Sequence, residues 1–121
     1  MAESHQLLVD GRVRAPVEVA SGVRARHRGL LGRDSLTGAL WLQPCRQVHT
    51  FGMRFEIDVA YVDRHGMVLA VRRMPPGRLA RPRLHARAVV EAEAGAFDSW
   101  ALVRGSRLGI EPAAADVSRR R

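Results

Sequence analysis

The 121-residue chain contains no lysine, one cysteine and few aromatic side chains, and none of its apolar runs approaches the roughly 20 residues that cross a bilayer. A single cysteine, Cys45, excludes an internal disulfide and makes a reducing cytoplasm the simplest compartment. The short apolar runs leave no membrane-spanning helix, and the opening MAESHQLLVDGR has neither a basic n-region nor an apolar h-region of an export signal. Aromatic content of 5% provides little for stacking on nucleic-acid bases, and Trp41 and Trp100 sit inside apolar patterns that read as core. Internal repeats and heptads are also lacking, which argues against a solenoid or coiled coil.

What is present is arginine. All 20 basic residues are of this type, against 12 acidic ones, for a net charge of +8. A positive balance raises nucleic acid as a partner, because clustered cations release counterions from phosphate. Here the arginines are spread along the chain with Glu56, Asp58, Glu91 and Glu93 between them, and usage without lysine reads as compositional bias. Electrostatic nucleic-acid binding, through residues 77–87 and the three final arginines, is therefore kept as an alternative and not as the leading reading.

Hydrophobic residues at 46% are close to the globular average and alternate with polar ones, so one core is expected. Two strands flank Asp10-Gly11, a pair suited to a tight hairpin. A short helix from Ser21 to Gly32 is expected, with Ser21 as its cap. Residues 39–43 read as a buried strand that Pro44 ends. In residues 55–63, Phe55, Ile57, Val59 and Tyr61 share one face while Glu56, Asp58, Ala60 and Val62 share the other. A hairpin to Val71 follows, and then Pro75-Pro76 and a basic, aperiodic excursion over residues 77–85. Residues 88–94 alternate again. Phe97, Trp100 and Ala101 mark a short helix, and a last strand is expected over residues 107–110. The sum is a mainly β, compact antiparallel sandwich or barrel-like domain with two short helices. It spans residues 1–110, and residues 111–121 form a basic tail expected to be disordered.

Reactive side chains are densest in Cys45-Arg-Gln-Val-His49-Thr-Phe-Gly-Met-Arg54-Phe-Glu56-Ile-Asp58. This string resembles the signature of the bacterial and archaeal domain of unknown function 192 family. Arg28-Gly-Leu-Leu-Gly-Arg33 upstream and Val89-Val-Glu-Ala-Glu-Ala-Gly95 downstream are similar to it as well. The resemblance covers roughly residues 17–110 and implies a compact β-sandwich-like fold, with no accepted activity attached. The chain departs from the family at Glu56, where proline is usual, and at Ser106, where aspartate is frequent. His49, Arg54, Asp58, Glu91 and Gly95 match.

Three chemical readings of these residues can be weighed. Cys45 and His49 could form a thiolate–imidazolium pair oriented by Asp58 or Glu91, but catalytic pairs meet in space and not at a fixed interval, and a lone cysteine is more often a small apolar residue. Zinc could use Cys45, His49, His85 and a carboxylate, but no second closely spaced ligand pair exists, so no metal or other cofactor is expected. In the third and favoured reading, His49, Thr50, Arg54, Asp58 and Glu91 bind a small anion or a peptide in a cleft walled by Phe51 and Met53. The same residues could instead form a buried ion-pair network that fixes strand register. A non-enzymatic binding or accessory domain is the leading function, and a Cys/His hydrolase or metal-assisted enzyme is the alternative.

Overall fold

The computed structural model describes residues 4–21 and 32–113. Its strands are β1 (His5–Val9), β2 (Arg12–Ser21), β3 (Ala39–Gln43), β4 (Ile57–Val62), β5 (Val68–Met74), β6 (Ala88–Glu93) and β7 (Leu108–Pro112), with one helical turn, α1 (Ala96–Ser99), between the last two. They form one sheet in the order β5-β4-β6-β3-β2-β1-β7. The mainly β expectation holds. One pairing differs from an antiparallel design: β2 and β3 run parallel, from Val17↔Ala39 to Ser21↔Gln43, so the sheet is mixed. Residues 22–38 separate the two strands, long enough for the crossover of about a dozen residues that a parallel pair requires.

Local chemistry accounts for the boundaries. Asp10 and Gly11 have φ of 51° and 82°, the paired positive values of a two-residue hairpin turn matching strand twist, and Val9 faces Arg12 across it. Ser21, expected to begin a helix, instead ends β2, and the rest of that expected helix lies outside the described residues. The second expected helix is a single turn, because Ala101 leaves the helical region at φ 54°. β7 runs on to Pro112, where His5 pairs with it.

Side-chain alternation gives the sheet two apolar faces. One core cluster draws Leu7, Val17, Trp41, Ala60, Val68, Val90 and Leu108 from the seven strands in turn, with Phe97 and Leu102 beside them. Strands from opposite edges can share one cluster only if the sheet curls, so this face is the interior. The edges meet at one end: Met67 bridges Arg107, the Val68 amide donates to the Ser106 carbonyl at 2.9 Å, and the Leu108 amide donates to the Gly66 carbonyl at 2.7 Å. No continuous ladder follows, so the barrel is not closed. Gly66 is required at this seam, since a Cβ there would stand 2.6 Å from the Leu108 carbonyl oxygen at a φ of +84°.

The outer face carries a second core of Leu40, Leu42, Ile57, Val59, Tyr61, Ala70, Met74 and Val89, covered by Leu36, Val48, Met53 and Ala86 from loops. Covering on both sides is why all six residues of β4 are buried. A bulge in β5 shifts its register between Tyr61↔Ala70 and Val62↔Val68. Val68 therefore faces inward, whereas Ala70, Arg72 and Met74 face out, under the loops.

Candidate functional site

Two proline-bounded loops cover the outer face. Pro44, after a cis Gln43–Pro44 peptide, ends β3, and Pro75 follows β5. The basic excursion was expected as an exposed segment without regular structure, and it is laid strand-like along the other loop. The amide of Cys45 donates to the Arg87 carbonyl at 3.0 Å, that of Arg83 to Arg46 at 2.9 Å, that of Ala80 to Val48 at 3.0 Å and that of Thr50 to Arg78 at 2.8 Å. Val48, Thr50, Met53 and Ala86 point down into the core, while His49, Phe51, Leu79 and Leu84 remain outside.

Thr50 is the knot of this pair. It is fully buried, its hydroxyl donates to the Pro75 carbonyl at 2.7 Å and accepts from the Arg78 amide at 2.8 Å, and its carbonyl accepts from Gly77 at 2.8 Å. With its hydrogen-bonding groups engaged, Thr50 holds the loops together and presents nothing outward. Next to it His49 bridges Leu79 and stacks on Phe51, with ring centres 5.4 Å apart. Phe51, Leu79 and Leu84 are 50%, 63% and 79% exposed, unusual for large apolar side chains brought onto one pair of loops.

The remaining ligand candidates separate. Arg54 donates to Asp34 at 2.9 Å in an ion pair open to solvent at both ends, not to Asp58 or Glu91. Asp58 lies on the inner side of β4, where it faces Ala92 and Arg73. Its carboxylate accepts from Arg73 Nε at 3.0 Å, from the Gly95 amide at 2.9 Å and from the Phe97 amide at 3.2 Å. That role is structural: it fixes the turn entering α1 against the sheet. Glu91 lies on the other side, between Leu40 and Val59, and burial pushes its carboxyl up to about 7. Asp58 and Glu91 thus share no site, because alternation along β4 and β6 turns them to opposite faces.

Cys45 is half-buried, and its thiol donates to the Gln47 carbonyl at 3.3 Å. It borders a surface recess of about 560 Å³ with Gln43, Pro44, Arg46 and Arg87, in which no carboxylate or imidazole appears. His85 is exposed, and among the described residues no three His, Cys, Asp or Glu side chains gather to hold a metal.

A second recess, of about 260 Å³, opens where the excursion passes over edge strand β5, lined by Tyr61, Arg72, Arg73, Met74, Ala80, Arg81 and Arg83. Tyr61 has no exposed surface, and among the described residues neither its hydroxyl nor Arg83 Nε has a hydrogen-bond partner. Each such donor costs about 1–3 kcal/mol while unpaired. Burial pushes the Tyr61 phenol above its usual value, opposed by the charge of Arg83, so the phenol is neutral and keeps its proton. Neither residue was among the sequence candidates. The available signal was a phenol on a strand otherwise filled with aliphatics, since a buried hydroxyl requires a partner.

Residues 5–110 match the model of a family described as an uncharacterized ACR, domain of unknown function 192. Among solved structures, a protein of Sinorhizobium meliloti described as "a putative transcription regulator" superposes with a TM-score of 0.74 at 19% identity, covering 91% of this chain and 92% of that one. A protein of unknown function from Novosphingobium aromaticivorans gives 0.66 at 15% identity, covering 88% and 83%. At these identities the likeness is one of fold. No curated protein matches the chain. The curled seven-stranded sheet, the HTFGMRFEID loop that seals its outer face and a family match over most of its length together place the chain in the domain of unknown function 192 family.

Proposed function

We propose that this protein is a non-enzymatic binding domain that engages an acidic, partly apolar protein segment on the paired loops 43–54 and 75–87. The observation that carries the reading is the coincidence of exposed Phe51, Leu79 and Leu84 with six arginines, 46, 54, 78, 81, 83 and 87, in two loops that contain no acidic residue. Apolar side chains held out by a strand-like pairing provide contact area. Surrounding positive charge favours partners rich in Asp and Glu and rejects basic ones. Thr50 keeps the platform rigid, so little loop ordering opposes binding. The Cys/His enzyme reading has less behind it, because the Cys45 thiol and the His49 ring each contact other groups.

The test is a fluorescence-anisotropy titration with a labelled peptide alternating glutamate with leucine and phenylalanine. Saturable binding that weakens with salt and is lost in Phe51→Ala/Leu79→Ala supports the reading. Binding that survives this double variant contradicts it, as does stronger binding of single-stranded DNA of equal charge with a steep salt slope.

A further inference from the structure

We propose that the recess between β5 and residues 80–83 is a binding site for a small-molecule oxyanion, a phosphate or carboxylate group, with Tyr61 and Arg83 as its donors and Arg72 and Arg81 as its counter-charges. It adjoins the apolar platform: none of Phe51, Leu79 and Leu84 lines it, while Arg81 and Arg83 border both. Three observations converge. Four arginines line one recess of about 260 Å³, and among the described residues the single carboxylate bonded to any of them is that of Asp58, which takes Arg73. Arg72 instead donates to the carbonyl of its neighbour Val71 at 2.8 Å, which leaves its charge unneutralised. In the same recess two buried donors, the Tyr61 hydroxyl and Arg83 Nε, have no acceptor among the described residues. An oxyanion supplies what is missing on every count: negative charge for the guanidinium groups and lone pairs for the two donors.

The geometry also says how the site is entered. The Arg83 guanidinium lies over the Tyr61 ring, 5.2 Å from its centre, and the Tyr61 hydroxyl is buried. An anion in the recess draws that guanidinium outward and away from the ring. The hydroxyl then faces the ligand. Burial is the main reason that this phenol keeps its proton and remains a donor, against the charges of Arg83 and Arg72. At about 260 Å³ the recess has room for an organic part beside the oxyanion. Met74 and Ala80 are the apolar lining available to it.

Isothermal titration of the full chain with inorganic phosphate, phenyl phosphate, acetate and benzoate separates the sources of the anionic group. The proposal expects saturable one-to-one binding of at least one of these, with a change in tyrosine ultraviolet absorbance. Tyr61→Phe should weaken it about tenfold, as loss of one charge-assisted hydrogen bond does, and Arg81→Gln by a similar factor. Phe51→Ala/Leu79→Ala should leave it unchanged, which separates failure here from failure of the peptide reading. Absence of saturation with all four probes overturns the site. Equal affinity in wild type, Tyr61→Phe and Arg81→Gln overturns it too, because the anion would then be held by scattered surface arginines. Arg81 is exposed and Tyr61→Phe keeps the ring, so both variants retain the packing of the fold.

Discussion

Arg83 covers Tyr61: the guanidinium carbon lies 5.2 Å from the ring centre, and one buried donor of each residue, Arg83 Nε and the Tyr61 hydroxyl, lacks an acceptor among the described residues. A cation–π contact of this kind is worth about 0.5–2 kcal/mol, comparable to the cost of a single unpaired donor. The contact therefore offsets no more than one of the two unpaired donors.

Without added anions, Tyr61→Phe should be as stable as the wild type or more stable by about 1 kcal/mol, because the substitution removes an orphaned hydroxyl and keeps the ring. Urea denaturation in a chloride buffer measures this. A loss above about 2 kcal/mol would mean that the hydroxyl has a partner in the free protein.

Glu91 makes stability depend on pH. Its folded value of about 7 lies above the 4.5 of a free glutamate, so the folded state holds the proton more tightly. The contribution of the neutral form is complete below about pH 4.5 and is lost as pH rises through about 7, a change of about 3 kcal/mol for this group. Glu91→Gln should flatten that part of the profile and exceed the wild type in stability at pH 8. Parallel profiles for the two proteins would show that the carboxyl is solvated.

Much of this fold is legible in the residues. Asp10-Gly11 announces its hairpin, and Ile57, Val59 and Tyr61 announce one face of β4, because turn chemistry and period-two alternation are local properties. The parallel β2–β3 pair is not legible, since pairing direction depends on a long connection. The bulge that turns Arg72 outward is also hidden, because one extra residue in β5 leaves no local mark in composition. Among site residues, alternation sets Asp58 with Ala60 and Val62, but which face turns inward, and how β4 and β6 register, are tertiary properties, so the separation of Asp58 from Glu91 is not legible. The role of Arg83 depends on contact across the excursion, so its position in an aperiodic basic stretch conceals it.

Asp58→Ala should cost about 2–3 kcal/mol, from the Gly95 and Phe97 amides it leaves without an acceptor. Hydrogen exchange should accelerate at residues 95–102 before the rest of the sheet. By contrast Arg54→Ala, which breaks an exposed pair with Asp34, should change stability by less than about 0.5 kcal/mol. Equal effects from the two variants would contradict the division between a structural and a superficial ion pair.

Gly66→Ala should destabilise the protein by about 2 kcal/mol or more, since it combines a positive φ with a collision against the Leu108 carbonyl. Thermal unfolding reads the loss. A silent substitution would mean that the edge strands do not meet at this seam.

Recognition of a partner by the paired loops is read by amide chemical-shift mapping during titration with the glutamate, leucine and phenylalanine peptide. Saturable shifts should concentrate at His49, Phe51, Leu79 and Leu84 and be absent from the Asp10-Gly11 hairpin. Shifts spread evenly over exposed arginines, or no saturable shifts at all, would contradict it.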